Sequence, residues 1–413
     1  MASQHDTPAL PPLRLRPFSA MRYNPEQVGD IGEVTSPPYD MMDRPLIDSL
    51  LKAHPQNIVR LVLPRLVSEP VHAASPYDRA AKLLRRWRGQ QVLVTDPEPA
   101  LYAYEYGDAT VSVRGVVGAL ELHSRDAGVV LPHEDVIPEI VADRLAMMSA
   151  SRTNLEPILL VYDGGGSTND VLTRARERAP LVDVSARDST WHRVWAIDDP
   201  ADITEVRQAL APHQALIADG HHRHAAYLQL RRRHRDIGDG EGPWDQGLAM
   251  LIDQSQYPLQ LGAIHRSISE ISLDDIVDSP VTGFDVGPRE PSTGELPLLP
   301  SRPGELIVAT NTSWVSVRRS EPRDPAVSDA ELLHGPLLHA WGVGEDRLGY
   351  HHTVEQTVRC AHQDGGVAVL MHPSSVTEVM DVARAGKLMP RKSTSFGPKP
   401  RTGLVMRSLD DEV

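Results

Sequence analysis

The segment from residue 215 to residue 227, which reads ALIADGHHRHAAY, constrains the fold more than any other part of the chain. The small and apolar residues at 215–218 predict a buried strand, and Asp219 with Gly220 predicts a turn. The following residues have helical character, so the segment predicts a strand, a glycine turn and a helix start. Helix N-termini attract anions, and the Arg223 guanidinium matches phosphate oxygens. We therefore predict a phosphate-binding turn.

The composition is that of a globular protein and excludes several classes. With 413 residues, 40% hydrophobic and 24% charged, the chain is long enough for two or three domains. Its net charge of −14 argues against general nucleic-acid binding, which needs a basic surface. The single Cys360 excludes an intramolecular disulfide and a multi-cysteine metal site. No run of 18 apolar residues occurs, so we expect a cytoplasmic protein without a membrane span.

A second informative segment at 131–145 reads LPHEDVIPEIVADRL. Glu134 could act as a general base by accepting a hydroxyl proton, and its neighbour His133 could tune it. Glu134 could also be a surface carboxylate or cap the following helix. Arg144 either faces a phosphate or forms a local ion pair with Asp143.

The third segment, at 386–404, is rich in cations and hydroxyl groups. It carries Lys387, Arg391, Lys392, Lys399 and Arg401 with Ser393, Thr394, Ser395 and Thr402. In a protein of negative net charge this run is a candidate site for the anionic end of a substrate, and the alternative is a basic tail. The apolar residues Met389, Phe396 and Leu404 among prolines argue against a tail.

The histidines after the turn raise a metal-site alternative. His221, His222 and His224 could bind zinc, but adjacent histidines project in different directions and no cysteine completes a ligand set. We therefore predict no metal site of the protein's own. Asp219 could also serve only to fix the turn through its side chain.

Other patterns predict secondary structure. The run NIVRLVL at 57–63 predicts a strand, and residues 75–89 predict an amphipathic helix. Residues 100–106 and 111–122 alternate like the two strands of a hairpin. The arginine-rich run at 231–235 predicts a solvated end of the helix that follows the turn. Further predictions are a strand near 192–197, a flexible loop at 163–170 and a surface connection at 278–304.

The strand-DGHHR-helix segment resembles the phosphate-binding motif of the ParB/sulfiredoxin superfamily, with the greatest similarity to its free serine kinases. Those kinases also have an upstream Pro-His-Glu, whose Glu is the base on the serine hydroxyl, and a C-terminal Pro-x-Lys-Ser/Thr-Thr loop. This chain has the three motifs in the same order: Pro132-His133-Glu134, Asp219-Gly220-His221-His222-Arg223 and Met389-Pro390-Arg391-Lys392-Ser393-Thr394.

The chain also resembles a widespread prokaryotic family, uncharacterised in function, that has a DGHHR motif. That family shares Pro-Pro-Tyr-Asp near the N-terminus, His-Glu and Asp-Arg pairs, and a C-terminal MPxKSTxFxPKPxTGL run. Here these motifs lie at 37–40, 133–134, 143–144 and 389–404. This second resemblance covers most of the chain, whereas the kinase resemblance covers about 120–404.

The resemblances imply an α+β fold. They predict a ParB/sulfiredoxin-like core at 119–413 and an additional N-terminal α/β region of unknown role at 1–118. The implied catalytic residues are Glu134, His133 and Asp219. The implied nucleotide phosphate-binding residues are Gly220, His221, His222, Arg223 and Arg144. The implied substrate-binding residues are Lys392, Ser393, Thr394 and Lys399.

These residues lead to one functional hypothesis and two alternatives. The first is a kinase that uses ATP or ADP, with Mg²⁺, to phosphorylate the hydroxyl of free L-serine or a related hydroxy amino acid. The second is a nucleotide-binding regulatory switch or NTPase of the same superfamily without small-molecule kinase activity. The third is a structural or metal-binding protein. Neither nucleic acid nor a membrane is an expected partner, and the sequence does not indicate the oligomeric state.

Overall fold

The computed structural model describes residues 10–67, 75–164, 166–292, 299–321 and 327–410. The described residues form a mixed α and β structure with several sheets, which confirms the α+β class.

The strands are two to ten residues long, and most of them pair in the antiparallel direction. In chain order they are β1 (Leu15–Arg16), β2 (Ala20–Tyr23), β3 (Leu93–Thr95), β4 (Leu101–Gly107), β5 (Ser112–Glu121), β6 (Val130–Leu131), β7 (Thr153–Asn154), β8 (Ile158–Tyr162), β9 (Val182–Ser185), β10 (Trp191–Ile197), β11 (Ala215–Asp219), β12 (Gln246–Asp253), β13 (Gln260–Ala263), β14 (His265–Ile268), β15 (Phe284–Val286), β16 (Glu290–Pro291), β17 (Glu305–Ala309), β18 (Ser313–Arg319), β19 (Leu348–His351), β20 (Val367–Met371), β21 (Thr394–Gly397) and β22 (Met406–Ser408).

The helices vary from single turns to four turns. They are α1 (Pro25–Val28), α2 (Ile31–Val34), α3 (Arg44–Ala53), α4 (Val59–Val62), α5 (Pro76–Gly89), α6 (Pro138–Ser151), α7 (Ser167–Ala175), α8 (Pro200–Leu210), α9 (His221–Asp236), α10 (Leu273–Val277), α11 (Asp329–Leu332), α12 (Leu338–Ala340), α13 (Val354–Gln363) and α14 (Val376–Arg384). A π-helical turn at Leu333–Leu337 joins α11 to α12.

The chain forms two compact units, and neither is one continuous segment. The first unit takes its described residues from 1–131, 136–259 and 398–413, and the second takes them from 132–135 and 260–397. The predicted boundary between residues 118 and 119 falls inside strand β5, so these units differ from the two regions expected from the sequence.

The first unit is built around a mixed sheet in the order β6-β11-β8-β12-β5-β4-β10-β9, with β1 beside β5. Strand β11 is parallel to β6, and β12 is parallel to β8. Every residue of β4, β8 and β11 is buried, which places these strands in the core. The register of β11 against β8 shifts between Ile217 and Asp219, and such an irregularity re-aims the end of a strand. The predicted turn follows directly.

Two helices and a small sheet complete the first unit around the turn. Helices α6 and α9 pack against each other and bury Leu145, Tyr227 and Leu230 in the same apolar core. A separate antiparallel sheet has the order β3-β2-β22-β7, so the C-terminal strand β22 is paired on both edges. Within β22, the fully buried Arg407 donates hydrogen bonds to the carbonyls of Gln246 and Pro243, each 2.9 Å long.

The second unit contains an antiparallel sheet in the order β15-β18-β17-β20-β14-β19, with β16 beside β18. Alternate residues of β17 point to opposite faces, as a strand requires. Leu306 and Val308 pack under Leu333 and Leu337 of the π turn, whereas Ile307 packs with residues of α13. The sheet is therefore covered on both faces. Strands β13 and β21 form a separate antiparallel pair.

Most of the predicted elements are confirmed, but the strand predicted at 57–63 is wrong, and the loops predicted at 163–170 and 278–304 contain the first turn of α7 and strands β15 and β16. Helix α5, the β4–β5 hairpin and strands β10 and β11 lie where the sequence predicts them. The run at 57–63, predicted as a strand, contains helix α4 instead, because a short apolar run fits a buried helix as well as a strand. Asn57 sets the helix by accepting from the Val59 amide and donating to the carbonyls of Glu33 and Thr35.

Parts of two predicted loops, residue 165 and residues 293–298, lie outside the described residues. Among the residues that the structure describes, no helix combines the length and the apolar character needed to cross a membrane.

Replacing Asn57 by Ala tests whether this side chain determines the local structure. The change removes the hydrogen bonds of this side chain with the Glu33 carbonyl, the Thr35 carbonyl and the Val59 amide, so we expect a loss of about 2–3 kcal/mol in the free energy of unfolding, measured by urea denaturation. The control Asn24→Ala removes an exposed helix cap and should cost about 1 kcal/mol or less. Equal losses for the two variants would contradict the interpretation.

Candidate functional site

The turn between β11 and α9 requires glycine at position 220. Gly220 has φ = 95°, in the left-handed region that favours glycine. A Cβ added there would lie 2.8 Å from Cγ2 of Ile158 and 3.2 Å from Cζ of Arg223. The predicted strand, glycine turn and helix are confirmed. The start of α9 is the positive end of the helix dipole, which favours an anion.

Asp219, at the end of β11, is held by two cations. Its Oδ1 accepts a hydrogen bond of 2.5 Å from Nζ of Lys399, and its Oδ2 is paired with Arg223. The same Lys399 ammonium lies 3.2 Å from Oδ2 of Asp40. Burial alone would lower the pKa of Lys399, but the two carboxylates outweigh it and raise the pKa above its usual value. The negative charge of Asp219 is therefore compensated within the first unit.

Arg223, which the sequence predicts to bind phosphate, has a buried side chain. Its side chain is 3% exposed. It donates to the Pro157 carbonyl at 2.5 Å, and its Nε lies 3.7 Å from Oε1 of Glu156. Glu156 in turn accepts a hydrogen bond of 2.6 Å from Thr402. Arg223 thus fixes the turn to β8 and to the C-terminal segment.

The three histidines of α9 have different surroundings. Nε2 of His222 accepts a hydrogen bond of 3.0 Å from the amide of Ile137, the residue before α6, so this ring is an acceptor at that nitrogen. His224 is buried, and burial, with a contribution from Arg231, lowers its pKa to about 4. His221 is 9% exposed. In the described ranges no group of three His, Cys, Asp or Glu side chains is arranged to hold a metal ion.

Arg144 forms the local ion pair that the sequence left as one alternative. Its Nε donates to Asp143 at 3.1 Å, and its Nη1 donates to the Val62 carbonyl at 2.9 Å. The guanidinium carbon of Arg144 lies 4.4 Å from the ring centre of Tyr39, and the guanidinium carbon of Arg223 lies 6.0 Å from the same ring centre. Tyr39 therefore lies near both arginines in the interior of the first unit.

Glu134 belongs to the second unit, where it holds the loop before β21. Its Oε1 accepts hydrogen bonds from the amides of Ser393 (2.9 Å) and Thr394 (3.2 Å) and from the Thr394 hydroxyl (3.3 Å). Burial raises the pKa of Glu134, although these amides and Lys392 oppose the effect. Nε2 of His133 lies 2.7 Å from the Thr394 hydroxyl. The predicted His-Glu pair and the Lys392-Ser393-Thr394 run therefore lie together.

Arg266 in β14 holds the same loop by donating hydrogen bonds to its backbone carbonyls. It is fully buried and donates to the carbonyls of Lys392 (2.9 Å), Arg391 (3.3 Å) and Ile264 (2.5 Å). Its guanidinium also lies 4.3 Å from the ring centre of Tyr350. Burial lowers the pKa of Arg266 to about 10. The carbonyls that Arg266 holds precede the amides that bind Glu134, so Arg266 positions the carboxylate through the loop.

The predicted site residues thus separate into two sets. Arg144, Asp219, Gly220, His221, His222, Arg223 and Lys399 belong to the first unit, and His133, Glu134, Lys392, Ser393 and Thr394 belong to the second. Lys399, predicted to bind substrate with Lys392, lies against Asp219 instead. Sequence reasoning missed Glu156 and Arg266 and gave Asp40 no role. No pattern near Arg266 in the sequence indicated its role.

Replacing Lys399 by Met leaves Asp40 and Asp219 without their shared cation. We expect a loss of about 3–5 kcal/mol in the free energy of unfolding, because uncompensated buried charge is costly. Adding Asp40→Asn to this variant should recover part of the loss. The exposed Lys387→Met is the matched control and should stay within about 0.5 kcal/mol of the unchanged protein. A similar small effect at Lys399 would refute its bridging role.

Replacing Arg266 by Met should raise the pKa of Glu134 further, because a cation near the carboxyl group is lost. The pKa can be followed by NMR of the side-chain carboxyl, and hydrogen exchange of the Ser393 and Thr394 amides should become faster. Arg391→Gln is the control, since that exposed side chain pairs with Asp135 at 3.3 Å. An unchanged Glu134 pKa in the Arg266 variant would rule out the positioning role.

Comparison with known proteins identifies the family. Residues 15–339 match the family described as "Protein of unknown function (DUF1015)". No curated protein matches the sequence. Among solved structures, the chain is similar to a free serine kinase mutant in complex with ADP, with 13% identity, 72% of this chain and 94% of that chain covered, and a TM-score of 0.37.

Two further structures have comparable similarity. A conserved hypothetical protein from Pyrococcus furiosus has 13% identity, coverage of 72% of this chain and 97% of that chain, and a TM-score of 0.35. SbnI with a C-terminal truncation from Staphylococcus aureus has 11% identity, coverage of 70% and 85%, and a TM-score of 0.37. Because the family match extends over more than half of the 413 residues, the chain belongs to the DUF1015 family.

Proposed function

We propose that this protein is a cytoplasmic, nucleotide-dependent phosphotransferase that acts on the hydroxyl of a small molecule, with free L-serine or a related hydroxy amino acid as the acceptor. The observation that carries the proposal is the Glu134 carboxylate. Its three hydrogen bonds in the described structure all reach Oε1, and burial raises its pKa. A carboxylate fixed in orientation, with a pKa moved toward neutrality, is suited to general-base catalysis.

The turn after β11 supports the nucleotide part of the proposal. The first turn of α9 contains no acidic residue, and the charge of Asp219 is compensated by Lys399 and Arg223. A phosphate therefore meets backbone amides and the positive helix end without a competing negative charge. These residues fit ATP or ADP, with Gly220, His221 and His222 nearest the phosphates and with Arg223 and Arg144 shaping the turn from within.

The reaction assigns a separate task to each set of residues. A bound nucleotide supplies its terminal phosphoryl group: the bond between that phosphorus and the bridging oxygen breaks, and the nucleotide leaves with one phosphate fewer. Glu134 takes the proton of the acceptor hydroxyl as its oxygen forms the new bond to phosphorus, and His133 keeps the carboxylate's neighbour Thr394 in place. Lys392, Ser393 and Thr394 bind the charged end of the acceptor. Asp219 and Lys399 act by holding the turn.

Mg²⁺ does not fit at Asp219, because cations already engage both of its carboxylate oxygens. In the proposal the ion enters with the nucleotide phosphates. We also propose that the residues from 119 onward contain a ParB/sulfiredoxin-like core, as the motif order implies.

The test is a phosphoserine assay with ATP or ADP and a panel of hydroxy amino acids, comparing the unchanged protein with Glu134→Gln. We expect the variant to lose about 10²–10⁴-fold in kcat and to keep its nucleotide affinity. In the unchanged protein, kcat should fall as the pH drops through the raised pKa of Glu134, because the base must be ionised. Glu139→Gln, which alters an exposed carboxylate nearby in the sequence, is the control.

The outcomes separate the proposal from its rival. Phosphorylation that survives Glu134→Gln would remove the base assignment. Nucleotide binding without transfer to any acceptor would favour a regulatory switch or NTPase. Absence of nucleotide binding by the folded protein would reject both functions.

A further inference from the structure

A cleft of about 220 Å³ lies in the first unit between α4 and α5, and positively charged side chains surround it. Among the described residues its lining contains four cations and no carboxylate. The cations are Arg60 from α4 and Arg79, Lys82 and Arg86 from α5. The volume is below the roughly 300–1,000 Å³ of sites for drug-sized ligands, so the cleft suits an ion of a few heavy atoms.

The three cations from α5 lie on one face of that helix. Positions 79, 82 and 86 are separated by three and four residues, and residues at these spacings are neighbours on a helix surface. The other face, which includes Leu84 and Trp87, is buried. Like charges at these spacings destabilise a helix, so the arrangement has a cost that a bound anion would offset.

The positive charge of α5 is a local excess in an acidic protein. The whole chain has 42 Lys and Arg against 56 Asp and Glu, whereas the helix has one carboxylate, Asp78, beside its several cations. Asp78 comes four residues before Lys82. In the part of the chain that the structure describes, however, neither Lys82 nor Arg86 forms an ion pair with it or with any other carboxylate. The charges of these two side chains are therefore not compensated by the described residues.

Arg60 reaches the same cleft from α4 and is held in position before any ligand binds. Its Nη2 donates a hydrogen bond of 2.9 Å to the carbonyl of Leu51, near the end of α3. Within the described ranges its guanidinium forms no ion pair, and its Nη1 donates no hydrogen bond. A guanidinium that is anchored at one terminal nitrogen and has no partner at the other is preorganised for an anion, which lowers the cost of binding.

The cleft also has an apolar part. Pro64 and Ala80 line it and are buried, and Leu83, which lines it as well, is half-buried. Water is therefore excluded from one side of an ion that enters. Because ionic attraction is stronger where water is excluded, the three cations act on such an ion more strongly than cations on an open surface.

We propose that this cleft binds a small phosphate-containing anion with two or more negative charges, held by Arg60, Lys82 and Arg86. These side chains come from two helices, so their donors reach the ligand from different directions. A phosphate group presents several acceptor oxygens around one atom and matches such a set, whereas a carboxylate has two oxygens in one plane. The proposal does not depend on the phosphotransferase function, because none of these residues takes part in it.

The test is calorimetric titration of the full chain with pyrophosphate, inorganic phosphate and succinate at pH 8 in buffer without Mg²⁺. Inorganic phosphate and succinate then carry about the same charge and differ in the number and direction of their oxygens. We expect phosphate to bind at least about tenfold more tightly than succinate, and pyrophosphate to bind more tightly still. Succinate binding as tightly as phosphate would overturn the assignment of phosphate chemistry. No saturable binding of either phosphate compound would refute the proposal.

Variants locate the site and separate it from the turn before α9, which also attracts phosphate in the proposed function. Arg86→Gln and Lys82→Gln should each weaken pyrophosphate binding about tenfold, whereas Arg85→Gln should bind as the unchanged protein does. Arg85 is the matched control because it is exposed like Arg86, is next to it in α5 and does not line the cleft.

Any binding at the turn is common to these variants, so the difference between Arg86→Gln and Arg85→Gln measures the cleft alone. Unfolding curves establish that each variant is folded, which is expected because the replaced side chains are exposed. Equal affinities of the Arg86 and Arg85 variants for pyrophosphate would refute the proposal.

Discussion

The ammonium group of Lys399 is the contact on which the first unit depends. It lies between Asp40 and Asp219, two carboxylates that come from sequence positions 179 residues apart and that would repel each other without it. Asp219 is also ion-paired with Arg223, and Arg223 lies beside Glu156. Glu156 in turn accepts a hydrogen bond from the Thr402 hydroxyl. The N-terminal Pro-Pro-Tyr-Asp motif, the DGHHR turn and the C-terminal Pro-Lys-Pro segment are thus one connected structure. This explains why the side chains of the turn serve mainly to build it.

The second unit uses a buried cation in a different way. Arg266 is surrounded by backbone carbonyls, which carry only partial charges, whereas Lys399 has two full carboxylates. As a result the pKa of Arg266 is lowered from its usual value, whereas the pKa of Lys399 is raised. The charge of Arg266 is consequently not neutralised at its own position, and its field extends to Glu134. Lys399 neutralises carboxylates, whereas Arg266 orders the loop whose amides bind the Glu134 carboxylate.

The sequence predicts local structure well where one residue type has one conformational role. Gly220 predicts a left-handed turn, and the apolar residues before it predict a strand, because both effects act within a few residues. The apolar run at 57–63 fits a strand or a buried helix, and two of the three side-chain hydrogen bonds of Asn57 that set the helix reach carbonyls more than 20 positions away in the sequence. The cations of the 386–404 run are adjacent in sequence, yet Lys392 and Lys399 belong to different units because the chain passes from one to the other after residue 397. Sequence reasoning could not separate them, nor could it place Arg266 beneath the loop, because both facts depend on contacts distant in the chain.

The paired position of β22 has a consequence for how the protein can be made. This strand, near the end of the described chain, lies between β2 and β7, and its Arg407 holds carbonyls at 243–246. A ribosome must therefore release residue 408 before the small sheet can close, and residue 399 before Lys399 can reach Asp40 and Asp219. The second unit, whose residues 260–397 are all synthesised earlier, has its complete set of strands before the first unit does. Vectorial synthesis thus favours an order of folding in which the internal segment matures first and the N-terminal residues wait for the C-terminal ones.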